Sequence, residues 1–228
     1  MSYWVRYSKH IAAVAGLALS LGASSALAGA SSDFNTGTTD GWLLFGDSVT
    51  SAPTYVATGG VTGGYIHGTD AVLGGTWYWL APAKFLGNDS ASYGDALSFD
   101  LRMRGNGSLF SDADVILQSG GTSLFYTFGT GTTLVPADTT WRPYSVLLSA
   151  TAGWRVGSQN GVLANQTQVM QVLANVTSLQ IRGEFISGPD NGDLDHVLLA
   201  PIPEPETWAL MLAGLGLIGA AARRRRAR

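Results

Sequence analysis

Carboxylates carry most of the reactive potential of this 228-residue sequence, which has sixteen Asp and Glu residues, three His and no Cys. Without Cys, a Cys–His nucleophile, a thiolate zinc site and a disulfide framework are all excluded. Beyond residue 28 the histidines are His67 and His196, so a Ser–His–Asp site would have to be built on one of them. No His-Glu-x-x-His zinc segment occurs. Hydrolysis by paired carboxylates stays open, because the separation it needs, roughly 5 to 10 Å, is a distance in space that spacing along the chain does not reveal. Glu184 is the one glutamate before Glu204. Asp112 with Asp114, and Asp190 with Asp193, are spaced as oxygen-ligand pairs and equally as turn residues.

Binding chemistry is the other option. Seven Trp and eight Tyr could build a platform for the apolar faces of sugars. On a strand, Trp77 and Trp79 share one face and Tyr78 takes the other, so one of the two faces is expected to be core. Trp42, Tyr55, Tyr65, Tyr126 and Trp141 have no assignment from spacing. In a strand over 194–199, Asp195 would share a face with Val197 and Leu199, opposite Leu194, His196 and Leu198. Both faces read as apolar, so Asp195 would point inward and need a partner or an ion.

The elements that must position these groups are short strands. Leu97, Phe99, Leu101 and Met103 alternate with Ser98, Asp100 and Arg102, the period of a half-buried strand. Similar runs lie at 42–45, 77–79, 114–118, 123–128, 144–148, 179–185 and 194–199, separated by Gly, Asn, Asp, Ser and Thr clusters. One helical stripe interrupts them: Val169, Val172, Leu173 and Val176 recur at steps of three and four within 165–176, with Asn165 or Thr167 as the cap. Gly59-Gly60, Gly63-Gly64, Gly120-Gly121 and Gly129-Thr130-Gly131 read as turns, and none forms a phosphate loop opening a helix. An all-β sandwich or jelly roll with one short helix follows.

Charge separates this sandwich from the two ends. Arg6 and Lys9 precede an apolar run over 11–21 and Ala26-Leu27-Ala28, the layout of a secretory signal peptide cleaved after Ala28. Residues 208–222 form a second uncharged run, followed by five arginines within 223–228. At 1.5 Å per residue this run is about 22 Å long, short of a hydrocarbon core of about 30 Å unless flanking Trp208 and the arginines extend it. Both basic ends favour the cytoplasmic side, which places the chain between them across the inner membrane. That middle, 29–202, has six Lys and Arg against fourteen Asp and Glu, a net charge near −8. An acidic domain whose arginine tail has no interleaved aromatics is not a nucleic-acid binder.

Two resemblances rest on these residues. Pro203-Glu204-Pro205, the apolar run and the arginine tail resemble the PEP-CTERM sorting signal of Gram-negative bacteria. This implies recognition and cutting by an exosortase-type transpeptidase at 203–228, with the product attached to or released from the outer surface. The segments 77–88 and 92–99, together with Asp114-Val115-Ile116-Leu117, Ile181-Arg182-Gly183-Glu184-Phe185 and Leu194-Asp195-His196-Val197, resemble the laminin B domain, or laminin domain IV. That resemblance implies a jelly-roll sandwich similar to carbohydrate-binding modules, without catalytic residues. Related jelly rolls hold a structural Ca²⁺ between the N-terminal segment and the last strand, where Asp33, Asp40 and Asp195 would supply oxygens. For Asp195 a salt bridge to Arg182 or hydrogen bonds from a loop backbone is the competing arrangement. The expected function is binding of extracellular polysaccharide or matrix without turnover; the rivals are a carboxylate-dependent polysaccharide hydrolase and a purely structural matrix component.

Overall fold

A computed structural model describes residues 29–46, 49–70, 72, 74–129, 139–200 and 214–215. The signal segment 1–28, the Pro203-Glu204-Pro205 box and the arginine tail lie outside the described residues; of the apolar run only Gly214 and Leu215, both helical, are described. Among the described residues no helix is long and apolar enough to cross a membrane.

The chain runs through β1 (Ala30–Ser32), β2 (Leu43–Gly46), β3 (Val49–Ser51), β4 (Thr54–Val56) and β5 (Tyr65–Thr69). Next come β6 (Trp77–Leu80), β7 (Ala96–Gly105), β8 (Ser108–Leu109), β9 (Val115–Ser119) and β10 (Thr122–Tyr126). The last third holds β11 (Arg142–Leu147), β12 (Arg155–Val156), the helix α1 (Gln166–Leu173), β13 (Ser178–Arg182), β14 (Ile186–Ser187) and β15 (Asp190–Ala200). One antiparallel sheet has the order β11-β7-β15-β5-β4, with β1 also paired to β15. The other has the order β12-β10-β9-β13-β6-β2-β3, and β14 pairs with β8 apart from both. The inner faces of the two sheets close on one core containing Trp42, Trp79, Phe99, Leu124, Ile181 and Leu194. This is the antiparallel sandwich that alternation predicted.

Trp77 and Trp79 both point into that core and their rings meet edge to face at 5.1 Å, while Tyr78 lies on the opposite face. Gly183 makes room for Trp77: a Cβ added there would lie 1.9 Å from its ring. That close approach, with Gly183 N donating to Trp77 O, ends β13 at Arg182, three residues short of the run at 179–185. Helix α1 packs on β9 and β10 and buries Val169, Val172 and Leu173. Of the two expected caps Asn165 is used, in a capping box: its side chain accepts from Gln168 N and the Gln168 side chain accepts from Asn165 N.

The largest departure from simple alternation is in β15. The pairing with β7 shifts between Asp195 and Leu198, and His196 takes φ 47°. This bulge inserts one residue, so Leu194, Val197 and Leu199 all enter the core. Asp195 is therefore not on the face of Val197 and Leu199. It leaves the core for the outer side of the sheet, where a loop covers it.

Candidate functional site

The outer face of the first sheet collects the polar chemistry of the chain. Alternation along β7 sends Leu97, Phe99, Leu101 and Met103 inward and leaves Ser98, Asp100, Arg102 and Arg104 outside. The ladder then aligns His67 of β5, Asp193 of β15 and Arg102 of β7 in one cross-strand row, with Asp195 opposite Asp100 two residues along.

Asp193 is fully buried and accepts three charge-assisted hydrogen bonds, each 2.7 Å: from His67 Nδ1, Arg102 Nε and Arg104 Nη2. The Arg102 guanidinium also packs over the rings of Tyr65 and Trp141, at 4.8 and 4.4 Å from their centroids. The two rings meet edge to face.

The loop 57–64, between β4 and β5, lies across this face as a strap. Gly59 O accepts from Arg102 Nη1 and from Trp141 Nε1, and Val61 N donates to Asp195 Oδ2 at 2.8 Å. Its glycines are needed at two places for different reasons. Gly59 has φ 91°, and a Cβ on Gly60 would lie 2.6 Å from Asp195 Oδ2. The second oxygen of Asp195 accepts from His196 N. Burial raises the Asp195 pKa, against the pull of the Val61 and His196 amides. The His196 ring links strap and sheet: Nδ1 faces Asp100 Oδ2 at 3.4 Å and Nε2 lies 2.7 Å from Thr62 Oγ1. With Nδ1–H directed at the carboxylate, Nε2 accepts the Thr62 hydroxyl. Burial also raises the pKa of Asp100, and His196 opposes the shift.

Beside the strap lies a groove of about 430 Å³, within the range of small-ligand sites. Ser98, Pro143 and Leu198 line it together with the Asp33, Asp100 and His196 side of the face. It combines apolar surface with carboxylate and imidazole groups at hydrogen-bonding positions. Such a mixture suits a ligand with apolar ring faces and many hydroxyls.

The residues expected to hold calcium are not gathered into one site. Asp33 accepts from Asn35 N, is exposed and has its pKa lowered by that hydrogen bond. Asp40 accepts from Ser32 Oγ at 2.7 Å and pairs with Lys84, while Ser32 Oγ in turn accepts from the buried Trp42 indole. Asp195 is engaged by the strap, so the loop-backbone arrangement is the one formed. Arg182 pairs instead with Asp114 and lies between the rings of Phe110 and Phe185. Among the described residues no group of three or more His, Asp or Glu is placed to hold a metal ion.

Of the other carboxylates, Glu184 is buried and accepts from Trp77 N, and Asp190 is buried against Trp77 Nε1 and Phe185 N. Asp112 accepts from Thr76 Oγ1 and Ala113 N. Residue spacing did not reveal Tyr65, His67, Arg102, Arg104 and Trp141 as a unit. The polar alternation of Ser98, Asp100 and Arg102 was visible, but what joins it to Tyr65 and Trp141 is the strand order of the sheet.

The Laminin B (Domain IV) family matches residues 78–201, and the PEP-CTERM protein-sorting motif matches residues 201–226. Laminin subunit gamma-1 of Homo sapiens is 34% identical over 136 residues, 58% of this chain and 8% of that protein. Its counterpart in Xenopus tropicalis is 32% identical over 123 residues, 54% of this chain and 7% of that protein. The chain thus spans less than a tenth of the length of these relatives. Among solved structures, the L4b domain of human laminin alpha-2 aligns with a TM-score of 0.58 and 12% identity. The alignment covers 76% of this chain and 98% of that domain, and it shows a shared fold.

Proposed function

The chain belongs to the laminin B (Domain IV) family and carries a PEP-CTERM protein-sorting motif, the mark of an exported protein, and from that premise we propose a surface or matrix protein that binds polysaccharide without turnover. The groove beside the strap is its binding site. What supports this reading is the combination of apolar lining with Asp33, Asp100 and His196 on a sheet face where Asp193, Arg102 and Trp141 form a hydrogen-bonded and stacked cluster alongside. Sugars present both apolar ring faces and hydroxyls, and the groove offers a partner for each.

The order of segments is a signal peptide over 1–28, the sandwich over 29–202 and the sorting signal over 203–228. Pro203, Glu204 and Pro205 form the box that an exosortase-type transpeptidase reads. The protein passes the inner membrane, is held there by its C-terminal run, and is then processed to the cell surface or extracellular matrix. Mass spectrometry of the mature protein from its host tests the sorting half: the expected product lacks 1–28 and the arginine tail, and an intact tail contradicts it. Affinity electrophoresis in gels containing the host's extracellular polysaccharide tests the binding half. Retarded migration of the full chain, relieved in Asp100→Ala, is the expected result; unretarded wild type contradicts it.

A further inference from the structure

A second hollow lies on the other sheet, at its β12 edge. Arg155 of β12 stands opposite Phe125 of β10, and an isolated bridge sets Leu163 opposite Arg155 in turn. Directly opposed residues project to one face, so an aromatic, a guanidinium and an aliphatic side chain form one row. Leu124 enters the core, which turns Phe125 and this row outward. The loop 157–162 closes the row into a pocket. Gly157 N donates to Ser123 O, Val156 N to Val162 O, and Gly161 N to Ser158 O, so the loop is pinned at both ends and within. Position 161 has room only for glycine, since a Cβ there would lie 1.9 Å from Val156 O. Gly161 O accepts from Arg155 Nη1 at 2.8 Å, which holds the guanidinium in place. The pocket has a volume of about 450 Å³, within the range of small-ligand sites, and Thr127, Gln159 and Asn160 line it together with Phe125, Arg155 and Leu163.

Charge sets the chemistry of this pocket apart from that of the groove. Its lining contains no carboxylate, although the domain over 29–202 carries fourteen Asp and Glu against six Lys and Arg. Arg155 also lacks a counter-charge. Lys84, Arg102, Arg104 and Arg182 each pair with an aspartate, whereas Arg155 pairs with none among the described residues. Asp112, next in sequence to the lining Ser111, is turned to Thr76 Oγ1 and Ala113 N. Leu163, 62% exposed, and Phe125 supply apolar surface beside the guanidinium. The amides of Gln159 and Asn160 and the Thr127 hydroxyl can each donate and accept, which suits a ligand rich in hydroxyls.

We propose that this pocket is a second binding site, for an acidic sugar residue of a polysaccharide. Arg155 takes the sugar carboxylate, Thr127, Gln159 and Asn160 take hydroxyls, and Phe125 with Leu163 carries an apolar ring face. The inference rests on the polysaccharide reading proposed above and adds a site on the other sheet from the groove. A polymer long enough to reach both sites is held more tightly than by either alone.

Titration calorimetry of the full chain with trigalacturonic acid tests the site, with the fully methyl-esterified trisaccharide as the uncharged counterpart. The acid is expected to bind at least about tenfold more tightly than the ester. Arg155→Gln should bring the acid down to the level of the ester, while Ser98→Trp, which fills the groove, should leave acid binding unchanged. Asn160→Asp keeps Arg155 and adds a carboxylate to the pocket, and it should weaken the acid several-fold more than the ester. All variants are compared at wild-type melting temperature. Acid and ester bound alike by the wild type overturns the acidic class of ligand. Acid binding kept in Arg155→Gln and lost in Ser98→Trp puts the sugar in the groove, which overturns this site and leaves the proposed function standing. Absence of binding by either trisaccharide at millimolar concentration also overturns the site, and retardation of the wild type by the host's polysaccharide then decides the proposed function by itself.

Discussion

Two aspartates illustrate how burial, more than the presence of a partner, decides what a charge contributes. Asp193 is wholly buried under three cationic or imidazole donors, so replacing it strands Arg102 and Arg104 without a counter-charge. Asp193→Ala is expected to lower stability by about 3 kcal/mol, as for other broken buried pairs, read by urea denaturation of the full chain. Asp40 pairs with Lys84 where both side chains are about one third exposed. Asp40→Asn is expected to change stability by about 1 kcal/mol or less. Asp40 stood out through its place near the N-terminal strand, whereas Asp193 looked like a turn residue beside Asp190. What separates them is the register of β5, β15 and β7, a set of contacts 89 to 126 residues apart in the chain.

At the scale of elements, alternation and helical spacing were legible because each depends on local period alone. β7, the 194–199 part of β15, the Trp77 strand and the stripe of α1 follow from that, whereas the 190–193 part of β15 read as turn and the cap stayed open between Asn165 and Thr167. Asn165→Ala is expected to cost about 1 kcal/mol, measured as a shift in denaturant midpoint, by loss of the capping box. The β15 bulge was not legible, since one inserted residue changes the facing of every later side chain while the residue types stay the same. The glycines carried a second hidden meaning. Gly60 read as a turn former and Gly183 as one residue of a strand run, yet each serves close packing, against Asp195 and Trp77 respectively. Gly60→Ala is expected to displace the strap and accelerate hydrogen exchange at the Val61 amide, with a stability loss of about 1 to 3 kcal/mol. An unchanged Val61 exchange rate would show that the strap does not depend on that contact.

For the whole molecule, the acidic balance and the buried carboxylates act in the same direction. Burial pushes the pKa of Asp190 up to about 6, and burial also raises Asp89, Asp100, Asp114 and Asp195. Exposed Asp33, shifted down, works weakly the other way. A raised folded-state pKa means that the native chain still binds a proton after the unfolded chain, near 3.8, has released it. The stabilisation is complete below about pH 4 and is lost as pH rises toward 6, by up to about 3 kcal/mol for Asp190. Wild type should therefore lose thermal stability relative to Asp190→Asn across that window; parallel pH profiles would contradict the assignment. Calorimetry with and without chelator should give one melting temperature, because Asp33, Asp40 and Asp195 each have protein partners.

Family and sorting signal together describe an exported chain, and the groove beside the strap is the binding site proposed for it. Ser98 lines the groove from the outer face of β7, so a large side chain there fills it without entering the core. The decisive measurement is binding of the full chain to the host's extracellular polysaccharide, compared between wild type and Ser98→Trp at equal melting temperature. The account predicts at least about a tenfold loss of affinity, the equivalent of 1.4 kcal/mol. Equal binding by the two proteins would contradict it.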